Sequence, residues 1–78
     1  MVQLKNIEKK NNSIRCLVFP EDSKEPGTVN VDLSKESFEY ALPDGYEWCE
    51  SHVRHAVRAL IDMAKSNSLV KEKLIMWC

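Results

Sequence analysis

Apolar positions recur along this chain with two different periods, and the change of period divides it. From Val2 to Leu42 they fall at every second residue in short runs, and from Tyr46 to Ser66 they fall at helical spacing. Residues 2–8, VQLKNIE, set Val2 and Leu4 against Gln3 and Lys5, the alternation of a half-buried strand. The polar run Lys9-Lys10-Asn11-Asn12 then predicts a turn. Residues 13–19, SIRCLVF, predict a second strand with Ile14, Cys16 and Val18 on one face and Arg15, Leu17 and Phe19 on the other. A connection of about four or five residues makes the pair a hairpin. Residues 28–33, TVNVDL, alternate again, with Val29, Val31 and Leu33 turned in. After a tight turn at Ser34-Lys35, residues 37–42 set Phe38, Tyr40 and Leu42 against Glu39 and Ala41, a second hairpin. Between the hairpins, residues 20–27, PEDSKEPG, carry no apolar side chain outside the prolines and predict a solvated loop.

The longest periodic stretch, YEWCESHVRHAVRALIDMAKS, predicts a helix over about residues 46–66. Pro43, Asp44 and Gly45 supply turn chemistry before it. Asp44 is placed to cap its first free N–H groups, with Glu47 and Glu50 at the positive end of the dipole. Lys65 suits the other end, and Ser66-Asn67-Ser68 supply the stop. Such a helix spans roughly 30 Å, enough to cross four or five strands about 4.8 Å apart. One face gathers Cys49, Val53, Ala56, Val57, Leu60, Met63 and Ala64, and Arg54, Arg58, Asp62 and Lys65 fall largely opposite. Trp48, His52, His55 and Ala59 add a flanking strip and Ile61 widens the other side. The apolar arc therefore exceeds the roughly 100° a helix on a simple sheet needs. Either the C-terminal run Leu74-Ile75-Met76-Trp77-Cys78 or another chain covers that flank. Read as a last strand, that run gives an α+β two-layer sandwich. Its antiparallel sheet has four or five strands, two hairpins plus a C-terminal strand, and one long helix lies across one face.

Composition changes this picture little. Seventy-eight residues, 44% hydrophobic and 29% charged, are one small globular domain spanning residues 1–78. The net charge of −1 mixes both signs along the chain and argues against a dedicated nucleic-acid binder. With no apolar run near the ~20 residues a membrane span requires and no leader-like N-terminus, the chain reads as cytoplasmic and free of the membrane. Cys16, Cys49 and Cys78 are an odd number and read as free thiols, with Trp77 as core.

Three chemistries compete for what remains. The strip Trp48, His52, His55 and Ala59 is a candidate protein interface, binding another protein or a second copy in a homodimer, because a tryptophan off the main apolar face, if exposed, is a common anchor. Cys49 and His52, three residues apart, are a candidate zinc pair with His55, Cys16 or Cys78 as further ligands. His55 lies about 120° around the helix from Cys49, so the three converge poorly on one ion. Arg54, Arg58 and Lys65 form a basic stripe that, with Lys5, Lys9 and Lys10, is the candidate nucleic-acid face. No glycine-rich phosphate loop, paired-carboxylate motif or nucleophile motif is present, so the chain reads as a non-catalytic interaction module needing no cofactor.

Overall fold

Alternation in the first forty residues becomes a sheet because the first three runs each bury one side against the helix that follows, while the fourth pairs beside them and stays exposed. The computed structural model describes residues 1–76; the expectations for Trp77 and Cys78 lie outside the described residues. Five strands, β1 (Val2–Lys10), β2 (Ser13–Pro20), β3 (Gly27–Asp32), β4 (Ser37–Ala41) and β5 (Lys73–Ile75), form one antiparallel sheet in the order β4-β3-β2-β1-β5. The helix α1 (Glu50–Lys65) lies on one face of it. This is the α+β two-layer architecture, with Lys73–Ile75 paired beside β1 as the fifth strand.

Several local features set the register. The first hairpin turns over Asn11-Asn12 alone, with Asn11 at φ 56°, because both strands extend further than their alternation indicates. Between Lys5 and Glu8 the register of β1 against β2 slips by one residue, and Asn6 at φ 55° takes up the left-handed conformation of a bulge. That bulge is why Ile7 joins Val2 and Leu4 in the core although it breaks their alternation. Gly27 is fixed by space: a Cβ there would lie 2.3 Å from the Ala41 carbonyl oxygen. In the second hairpin, Asp32 Oδ1 accepts from the Ser34 N–H and hydroxyl and from the Lys35 N–H, at 3.0, 2.7 and 3.1 Å. Leu33, assigned to the strand by its alternation, therefore sits in the turn, half-buried against the core.

The helix begins later than its periodicity indicates, at Glu50 rather than Tyr46. The Tyr46 N–H donates to Pro43, Cys49 to Tyr46 and His52 to Cys49, so residues 43–49 wind through tight i to i+3 turns first. Asp44 does not cap the helix; Cys49 occupies the N-cap position without a side-chain hydrogen bond. At the other end, Asn67 at φ 54° lets the Ser68 N–H reach the Met63 carbonyl at 2.9 Å, a Schellman closure built on asparagine. Val53, Ala56, Val57, Leu60 and Met63 from α1 meet Val2, Leu4, Ile7, Ile14, Cys16, Val18, Val29 and Val31 from the sheet. No helix among the described residues is long and apolar enough to cross a membrane.

Candidate functional site

The tight turns ahead of α1 hold Trp48 outside the helix and against it. Its indole N–H donates to the Gly45 carbonyl at 3.1 Å, an approach helped by Gly45 at φ 87°. Its ring stacks on Tyr46 at 6.3 Å and meets the His52 ring edge-on at 5.6 Å. Trp48 nevertheless stays 65% exposed. The loop after β2 completes this corner: the Tyr46 hydroxyl donates to Asp22 at 2.8 Å, and His52 Nε2 lies 3.2 Å from Glu21 Oε2. Glu21 also accepts from the amino group of Met1. The amine's hydrogen bond and then the one from His52 hold the Glu21 carboxyl below its usual range, and the bond to Asp22 pushes the Tyr46 phenol up.

The flanking strip is thus brought together but not left open. His52 is buried, and His55 and Ala59 are half-buried; Trp48 alone stands clear. Cys49 is fully buried, and burial first, then the Glu21 charge, pushes its thiol up. Cys16 is buried inside the sheet, and burial pushes its thiol up to about 11. Neither has the character of a reactive thiolate. Among the described residues no group of three or more His, Cys, Asp or Glu side chains is placed to hold a metal ion.

On the other flank of α1, Arg54, Arg58 and Lys65 line a groove of about 320 Å³ with Val57, Ile61 and Asp62, and its far wall is Phe38 of β4. Register places Phe38 opposite Val31 and Tyr40 opposite Val29, so both rings point to the helix side of the sheet. They stack at 6.2 Å and remain 41% and 42% exposed, because α1 packs mainly on β1, β2, β3 and β5 and does not cover β4. On the opposite face of the sheet a concavity of about 690 Å³ mixes Arg15 and Asn30 with Glu8, Glu39 and Leu17, so that two carboxylates face one guanidinium.

Glu21, Asp22 and Tyr46 at the corner, and Phe38 at the groove with Tyr40 stacked on it, are residues that sequence reasoning did not bring to a site. The loop acids gave a signal only as a charged run, and the two aromatics read as core. No known protein family, curated protein or solved structure matches the chain.

Proposed function

We propose that this chain is a small protein-interaction module, without catalytic activity of its own, that docks another protein through the corner around Trp48. One observation carries the reading: the indole is mostly exposed yet held by a hydrogen bond and two ring contacts. Interface residues ordinarily lose rotamer freedom on binding, at a cost of about 0.5–1.5 kcal/mol per side chain. Trp48 has largely lost it beforehand, and a large pre-ordered aromatic is the kind of residue that dominates an interface. Glu21, Asp22 and the Tyr46 hydroxyl give the aromatic centre a polar margin. A zinc site on Cys49 and His52 is less well supported, because burial favours the neutral thiol over the thiolate a metal takes.

Affinity capture with mass spectrometry, comparing the wild-type chain with Trp48→Ala, tests the reading. The expected result is a stoichiometric partner captured by the wild type and lost on substitution, with the melting temperature little changed. A partner retained equally by both would move the site elsewhere on the molecule.

A further inference from the structure

A sheet of five strands is about 19 Å wide between its outer strands, and one helix with its side chains is about 10 Å across. The single helix therefore leaves part of the inner face bare, and the bare part is marked by Phe38 and Tyr40 on β4. We infer that the channel between α1 and β4 takes an amphipathic helix from a partner protein, its apolar face on Phe38 and Tyr40 and acidic side chains along its border with α1.

Charge selects the acidic partner. The channel wall carries Arg54, Arg58 and Lys65 against Asp62 alone. Arg54 also donates to Glu50 along the helix at 2.9 Å, but that pair is exposed at both ends and exchanges readily for a partner carboxylate. Shape selects a helix over a strand. A strand added at the open edge of β4 would satisfy its backbone and leave both rings in water, whereas a helix laid over the face covers them. Val57 and Ile61 form the apolar side wall next to which that helix packs. The chain has no such helix to lend to a second copy, since α1 is the only helix among the described residues and its apolar face is already on the sheet. This surface lies on the flank of α1 away from Trp48 and is independent of that corner.

The test uses two synthetic helical peptides of about eighteen residues, long enough to hold a helix. They share one Leu/Ile face and differ in having Glu or Lys at the flanking positions. Each is titrated into the isotopically labelled chain while backbone amide shifts are followed. The Glu peptide is expected to move the amides of Phe38, Tyr40, Val57 and Ile61, to gain helical circular dichroism, and to bind roughly tenfold tighter than the Lys peptide. The doubly substituted chain R54E/R58E, its fold checked by its melting curve, should reverse the preference. Equal binding of both peptides, or shifts centred on Trp48 or on the outer face, would overturn the inference. So would a bound peptide without helical signal. Shifts at Phe38 and Tyr40 that appear on concentrating the chain alone would overturn it in favour of a second copy.

Discussion

Asp32 and Glu21 tie the acidity of single side chains to the geometry of two loops. The Ser34 hydroxyl and then the Lys35 N–H hold Asp32 below its ordinary value of 3.8. The N-terminal amine and then His52 do the same for Glu21, whose ordinary value is 4.5. A carboxyl whose folded pKa lies below its unfolded one adds stability above the unfolded value and loses it as pH falls through the folded value. The melting temperature is therefore expected to be level near neutrality and to fall once pH drops below those ordinary values. Asp32→Asn keeps an oxygen for the turn and removes the titration, so its profile should fall less steeply in acid. A variant profile parallel to the wild type's would show that Asp32 does not contribute. Sequence indicates a tight turn at Ser34-Lys35 but leaves Asp32 in the strand, so its role as acceptor is not apparent there; Glu21 and His52 are thirty-one positions apart and meet only through the fold.

For whole elements, periodicity gave the type of each and missed several of its ends. The inward face of α1 is the one its spacing indicates, with Val53, Ala56, Val57, Leu60 and Met63 buried. Its first turn was misplaced because tight i to i+3 turns and an α-helix share similar spacing over so few residues, and Trp48 lies in that stretch. Leu60 is fully buried at the centre of the contact with the sheet. Leu60→Ala should destabilise the chain by about 2–5 kcal/mol in urea denaturation, against roughly 0.5 kcal/mol or less for the exposed Arg58→Ala. Similar losses for the two would place the core contact elsewhere. The bulge at Asn6 is a further case: Ile7 falling out of alternation was its sequence trace, and only the pairing with β2 shows the residue that absorbs it.

At the scale of the whole molecule, all five strands contribute to or border one core beneath a single helix. No hairpin buries an apolar face without α1, and α1 has no other surface to pack on. Equilibrium unfolding should accordingly be one cooperative transition, coincident by far-ultraviolet circular dichroism and tryptophan fluorescence. In a Trp77→Phe variant, where Trp48 is the single tryptophan, fluorescence changing ahead of backbone structure would show that the Trp48 corner opens separately from the core. The same architecture leaves β4 an edge strand with its aromatic face bare, which is where the partner-helix inference arises. Neither strand order nor helix position is written in alternation, so Phe38 and Tyr40 read as core residues like Val29 and Val31.

The sequence by itself determined the α+β class, the two hairpins, the helix with its buried face and the loop between the hairpins. Each of these follows from local period and turn chemistry, which a chain carries residue by residue. Tertiary structure alone decided the order β4-β3-β2-β1-β5, the burial of His52 beneath an exposed Trp48, and the approach of Glu21 and Asp22 to the helix start. It also decided that the helix covers the middle of the sheet and leaves β4 open. Those outcomes depend on which surfaces meet across long sequence separations, and hydrophobic patterning states only that a face is apolar, not what covers it.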